Sequence, residues 1–352
     1  MSSFTFFPKR AVGVDIGTSF LKVVELSQWG ERVRLTNYGK LSAKSIYEKP
    51  FRTFEKNTLT LSNKDVGRAI KGVLQETGIK TTKAVFSIPD FSSFFTHFEL
   101  PPMTQEEIPG AVEFEARRHI PIPLSEVAFD WEIIKGKPGK DERLRILMVA
   151  VPNELIRQYR DIADLAGLEL ISLEAEVFGL MRSTRDAIEE DVVLLMDIGA
   201  QSTTVNVVNK GVLYASHSID IGGNELTNRI AKSLSVSYEE AETIKQQDGV
   251  SLVLDNIRIL SPLVDVILLE VQKIIQNTKT ETQLEPKRLI LAGGSAKLPG
   301  LRGYAGDGLG VETEIIDPFR NVFYPPMLEG IMRAMGPKYA VALGMALRGL
   351  EK

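Results

Sequence analysis

Two stretches of the chain carry the same polar pattern at the end of an apolar run. Residues 12–26 read VGVDIGTSFLKVVEL and residues 194–208 read LLMDIGAQSTTVNVV, so that Asp15, Ile16 and Gly17 superpose on Asp197, Ile198 and Gly199. Each copy sets a carboxylate where a buried strand ends, then a glycine, then small hydroxyl residues, then a second Val-rich strand. A single copy reads as a β-hairpin with a polar turn; a repeated one asks for a common task. Two such hairpins facing each other can wrap a polyphosphate, because a turn without side chains lets backbone N–H groups point at phosphate oxygens. Thr18, Ser19, Ser202, Thr203 and Thr204 offer hydroxyl donors, and Lys22, directed back at the turn, offers a neutralising cation. Asp15 and Asp197 suit Mg²⁺, which takes oxygen ligands and keeps waters that nearby carboxylates hold.

Two further glycine clusters fit the same task. Gly222-Gly223 follow the strand around SHSIDIGG, and Gly293-Gly294-Ser295 follow the apolar run of RLILAGGSAKLPGL at 288–301. Each alone signals only a turn. The commoner nucleotide sites lack their mechanics here: there is no G-x-x-x-x-G-K-[ST], no G-x-G-x-x-G opening a helix, and no kinase catalytic loop. The chain has no cysteine, which excludes disulfides, thiolate zinc and a Cys nucleophile. Its three histidines, at 97, 119 and 217, are too dispersed to suggest a His metal site or a Ser-His-Asp triad. A net charge of −4 gives no reason to expect a nucleic-acid partner. No run of about 18 apolar residues would cross a bilayer, and the aromatic patch of MSSFTFFPKR is too short for a signal peptide. A frayed terminus is the simpler reading of that patch, although its aromatics beside two cations suit a bilayer surface. A cytoplasmic location is expected.

The elements that must position these residues divide the chain. At 352 residues two or more domains are expected. Residues 83–176 read as a compact α/β unit, with strands KAVFSI, FFTHFEL, RLRILMVAVP and LELISLEAE. Its helices are TQEEIPGAVEFEARRHI, with Thr104 and Glu107 in capping-box spacing, and NELIRQYRDIADLAG, with Asn153 as N-cap and Gly167 as C′. Ser237 and Glu240 form a second capping box, and Ser261 before Pro262 starts a helix whose apolar positions 263, 264, 267, 268, 271, 274 and 275 make one stripe. The Ala- and Gly-rich KYAVALGMALRGL permits close helix packing.

The order D-I-G-T, D-I-G-x-x-x-T, G-G, A-E-x-x-K and L-A-G-G-S-A-x-L-P-G is similar to that of the actin-like ATPase superfamily. Within it, the inserted unit at 83–176 and the run VEFEARRHIPIPLSEVAFDW at 112–131 resemble the PilM type IV pilus assembly family, related to the division protein FtsA. The resemblance implies an α/β fold of two duplicated RNase H-like domains with a cleft between them. It divides the chain into subdomain 1A (1–82, 177–190 and 336–352), an inserted 1C (83–176), 2A (191–230 and 284–335) and 2B (231–283). Asp15, Gly17, Thr18, Ser19 and Lys22 match the first phosphate hairpin, and Asp197, Gly199, Gln201, Ser202 and Thr203 the second. Gly222, Gly223, Glu242, Lys245, Gly293, Gly294 and Ser295 match the ribose and base side; from the residues alone, Glu242 and Lys245 read equally as an exposed i, i+3 ion pair.

ATP and Mg²⁺ are the implied cofactors, with Asp15 and Asp197 acting on the metal through water. The implied role is a scaffold of a pilus or type II secretion-like inner-membrane complex and its motors, holding the cytoplasmic N-terminal peptide of a PilN-type membrane protein. Membrane contact is then mainly through partners, with no nucleic acid involved and homo-oligomers left open. An FtsA-like filament protein and an actin-fold small-molecule kinase are the alternatives. Hydrolysing relatives often carry D-x-G-G-G-T, whereas here Ala200 and Gln201 follow Gly199. A Cβ at 200 restricts positive φ, so nucleotide binding with at most slow turnover is expected.

Overall fold

The computed structural model describes residues 8–45, 50–55, 58–189, 191–255 and 257–351; the aromatic patch at 4–7 lies outside them. The first half opens with β1 (Lys9–Ile16), β2 (Phe20–Trp29) and β3 (Arg32–Ser42), then the ribbon β4 (Arg52–Glu55) and β5 (Thr58–Leu61), α1 (Asn63–Thr77) and β6 (Lys83–Ile88). There follow β7 (Phe94–Leu100), α2 (Ile108–His119), β8 (Val127–Lys135), β9 (Leu144–Pro152), α3 (Asn153–Ala166), β10 (Glu169–Ala175), α4 (Glu176–Ser183) and α5 (Arg185–Ile188). The second half holds β11 (Val192–Ile198), β12 (Thr203–Asn209), β13 (Val212–Ile219), α6 (Gly223–Leu234), α7 (Tyr238–Asp248), β14 (Val253–Leu254), β15 (Ile257–Arg258) and α8 (Ser261–Thr282). It continues through β16 (Arg288–Ala292), α9 (Leu301–Leu309) and β17 (Glu312–Ile315) to α10 (Glu329–Glu351).

The duplication seen in two hairpins extends to whole sheets. One sheet runs β3-β2-β1-β6-β10 and the other β13-β12-β11-β16-β17. In both, the first three strands are antiparallel and the last two add in parallel. Each central strand is apolar on both faces because both are covered. Val12, Val14 and Ile16 of β1 pack on α1 and α3, while Ala11 on the other face meets α10. Leu194, Met196 and Ile198 of β11 pack on α6 and α8, whereas Val193 and Leu195 join Val85, Leu180, Val341 and Met345 in a core shared by both sheets. Helices α4 and α10 therefore lie between the halves.

A separate sheet, β7-β9-β8, carries α2 on one face, with Leu144, Ile146, Met148 and Ala150 against Ile108, Val112 and Ala116. This body spans residues 94–152 and is narrower than the expected 83–176. The reason is burial: Val85 and Phe86 are wholly enclosed, so β6 needs a central place, and β10 and α3 complete the first sheet and its core. Three helix starts also differ from expectation. Asn153 is the first helical residue of α3 after Pro152, and its side chain donates to Ser125 O. Thr104 N–H donates to Glu107 (2.8 Å), but in a turn ahead of α2, because Pro109 belongs at the helix's first turn. Ser261 is already inside α8. Ser237 caps α7 as expected, accepting from Glu240 N–H.

Candidate nucleotide site

The turns of the two repeated hairpins meet across the gap between the sheets, where the Thr18 hydroxyl donates to Gln201 Oε1 at 3.5 Å. Gly17 N–H closes its own turn onto Phe20 O (3.0 Å), and Gly199 N–H onto Ser202 O (3.0 Å), so these glycines shape the turns. The other glycine clusters are stitched to the second turn: Gly223 N–H donates to Gly199 O (2.8 Å), Asn224 N–H to Ala200 O (2.8 Å) and Ser295 N–H to Ile198 O (3.2 Å). A Cβ on Gly222 would lie 2.6 Å from Gln201 C, and Gly293 sits at φ +90° with its missing Cβ aimed at the Asp197 carboxylate. Gly294 faces open space. The hydroxyls of Thr203 and Thr204, expected to face a phosphate, are turned into the sheet towards Ile221 O (2.7 Å) and Ser218 Oγ (3.4 Å).

Below the turns lies a buried charged floor. Asp15, 4% exposed, accepts from Lys22 Nζ at 2.6 Å and Ser87 Oγ at 3.0 Å. Burial disfavours its charge, but Lys22 and Arg52 hold its carboxyl below the usual range. Lys22, expected to face phosphate, is thus shared with Asp15, its register partner across the hairpin. Asp197 has Thr204 in that position, and burial followed by the nearby Glu176 pushes its pKa up to about 7. Glu176, paired with Arg52 at 2.8 Å, is itself raised by burial. Asp90, buried and close to Glu176, is raised further and accepts from Val177 N–H at 3.0 Å.

At the other end, Glu242 and Lys245 form a largely buried bracket. Lys245, 6% exposed, donates to Glu242 (2.6 Å), Thr227 Oγ1 (2.7 Å) and Gly223 O (3.0 Å). Two of its donors tie α7 to Gly223 and Thr227 of α6, and the third closes the pair with Glu242 inside α7. Lys338 of α10 is exposed beside this bracket, and its pKa is lowered by partial desolvation and by the neighbouring Lys40, Lys22 and Lys245. Several cations converging on one gap suit an anionic ligand.

The residues fit a magnesium nucleotide. The described residues hold no cluster of three carboxylate or imidazole ligands, so a dication here would lean on Asp15 and Asp197 and on the ligand's own oxygens, retaining water. The raised pKa of Asp197 fits that arrangement, since its charge lacks the cation that Asp15 has across its hairpin.

A model of the family described as type IV pilus assembly protein PilM matches residues 13–350. The chain belongs to the PilM family. A solved PilM-PilN type IV pilus biogenesis complex superposes with a TM-score of 0.85 at 25% identity, over 97% of this chain and 99% of that one. The cell division protein FtsA of Pseudomonas aeruginosa is 24% identical over 98% of this chain and 90% of its own length. MreB 5 of Spiroplasma citri bound to AMPPNP, with a TM-score of 0.51 at 11% identity over 96% of this chain and 95% of that one, shares the fold. This PilM-family chain thus has the actin-like ATPase fold, with FtsA as a distant relative.

Arg52, Ser87, Asp90, Glu176, Thr227 and Lys338 escaped the sequence reading, because none lies in a repeated turn. One signal was available: Asp90 and Glu176 closely follow β6 and β10, as Asp15 and Asp197 lie at the ends of β1 and β11. Carboxylates gathered at the ends of parallel strands mark where an α/β sheet binds its ligand.

Proposed function

We propose that this PilM-family chain binds ATP with Mg²⁺ between its two sheets and in that state serves as a cytoplasmic scaffold for a PilN-type membrane protein. The observation that carries the nucleotide reading is the meeting of two duplicated glycine turns over buried Asp15 and part-buried Asp197. Thr18, Ser19, Gln201 and Ser202 would contact phosphates, the N-terminus of α6 at Gly223 favours negative charge, and Lys338 with the Glu242–Lys245 bracket would serve the ribose and base end. The dication would supply charge neutralisation of the phosphates. Ala200 and Gln201 in the second turn fit slow turnover. No helix among the described residues is long and apolar enough to cross a membrane, which suits attachment through partners.

The likeness to a PilM-PilN complex over nearly the whole length of both chains supports a PilN-type peptide as ligand. Its groove would lie where the body 94–152 joins the first sheet. Calorimetry with ATP, with and without Mg²⁺, followed by titration of a synthetic PilN-type N-terminal peptide, tests both halves. Binding of each, with Mg²⁺ strengthening the first, is expected. Rapid phosphorylation of a small-molecule acceptor would instead favour a kinase.

A further inference from the structure

At the end of the first sheet opposite the Gly17 turn, one face of the strands is uncovered. The pairings set Arg10 of β1, Ser27 of β2, Arg34 of β3 and Phe323 in one row across the sheet, with Trp29 and Arg32 paired beyond them at the hairpin tip. Phe323 is held there by its backbone, its N–H donating to Val33 O (2.9 Å) and its carbonyl accepting from Leu35 N–H (2.9 Å). Side chains alternate along a strand, so these residues share a face, while Leu26, Val33, Leu35 and Val322 fill the other face against α10. Trp29 and Phe323 are each 65% exposed. Arg32 and Arg34 are exposed and form no ion pair among the described residues, and Arg10 reaches Glu25 only at 4.0 Å. A single exposed aromatic needs no explanation; two aromatics interleaved with three arginines on one flat face form a patch.

Charge selects the partner. The whole chain carries −4, yet this face is cationic: Glu25 is buried and accepts from Thr81, and Glu31 sits in the hairpin turn without pairing either arginine. Its complement is therefore an anion. The seven residues ahead of the described chain, MSSFTFF, hold three phenylalanines and no acid. They are tethered to this row through Pro8 and Lys9 to Arg10, so they contain nothing to neutralise its arginines and add aromatics within reach of it. Trp29 and Phe323 stand on an open sheet face and line no groove, which suits a broad boundary. We propose that this face rests on an anionic phospholipid surface, with Trp29 and Phe323 at headgroup level and Arg10, Arg32 and Arg34 on lipid phosphates. Aromatic rings favour that interface, and each basic residue near an anionic leaflet adds attraction. The contact is the chain's own, separate from any made through a membrane-protein partner, and it does not depend on the nucleotide reading.

Cosedimentation of the full chain, with no partner present, is measured on mixed phosphatidylglycerol and phosphatidylcholine vesicles and on phosphatidylcholine alone. Binding to the anionic vesicles, weakened by salt, is expected. Arg32→Glu with Arg34→Glu should lower it about ten-fold or more, at an unchanged urea midpoint because both positions are exposed. The chain's tryptophans are Trp29 and Trp131, so Trp131→Phe leaves Trp29 as sole reporter, and its emission should shift to the blue on anionic vesicles only. Equal binding to neutral vesicles, binding to neither, or binding with Trp29 emission unmoved overturns the inference. So does full binding by the double variant with loss on deleting residues 2–7, which would place the contact in the terminal segment alone. A dimer that Trp29→Ser separates in sedimentation velocity would assign the face to a second copy and likewise overturn it.

Discussion

Asp15 and Asp197 hold equivalent places in two copies of one hairpin, yet their fields differ, because Lys22 faces the first and Thr204 the second. The consequence is a pH dependence with a definite sign. Asp197 titrates near 7 in the fold and near about 4 in an unfolded chain. Between those values the folded chain holds a proton that the unfolded chain has released, so stability falls as pH rises through that window. Asp197→Asn should therefore melt a few degrees above wild type at pH 8, with the gain closing towards pH 4; a pH-independent difference in scanning calorimetry would contradict the assignment. Asp15→Ala should weaken Mg-ATP binding by about ten-fold or more, and equal affinity in the two proteins would remove the metal role from Asp15. Both aspartates were legible in the sequence because turn chemistry is local. Arg52 and Glu176 were not, since their ion pair joins residues from separate strand ends that only the folded sheet brings together.

Close approach between α10 and its neighbours depends on missing side chains. A Cβ on Gly13 would collide with the backbone of Ala342 and Ala346, and one on Gly344 with the backbone of Gly179 in α4. The atoms in the way are backbone, which cannot swing aside. Gly344→Ala should cost about 1–3 kcal/mol, seen as a lower urea midpoint at unchanged m-value; an unchanged midpoint would mean that α4 and α10 separate freely. The Ala- and Gly-rich tail announced this packing, as the i, i+3/i+4 stripe announced α8. The allocation of β6 and β10 was less visible. A strand buried on both faces, as β6 is, has the same composition in either sheet; pairing with β1 decides for β6, and pairing with β6 decides for β10.

Besides the shared core, the halves of the molecule meet through Thr18 with Gln201 at the turns, Lys44 with Glu239 (3.0 Å) at the rim, and His97 Nε2 with Leu213 O (3.0 Å) where the small body meets β13. The rim pair is exposed and worth about 0–1 kcal/mol, although Lys44 also stands 3.8 Å from the Tyr238 ring centroid. Lys44→Ala should speed nucleotide release about two- to five-fold at low salt, with less effect at high salt; stopped-flow rates that ignore the substitution would show that the rim does not retain the ligand. Behind these contacts runs α10, a continuous helix with Pro337 inside it. A proline has no amide hydrogen, so Arg333 O cannot complete its helical bond there. Lys297 Nζ donates to it instead, and Pro337 O accepts from Gly293 N–H at 3.0 Å. The final helix is thereby fastened to the second half at the turn where its own ladder is broken. Parting the two halves would therefore have to break the Lys297 and Gly293 attachments at that turn as well as the exposed Lys44–Glu239 pair at the rim.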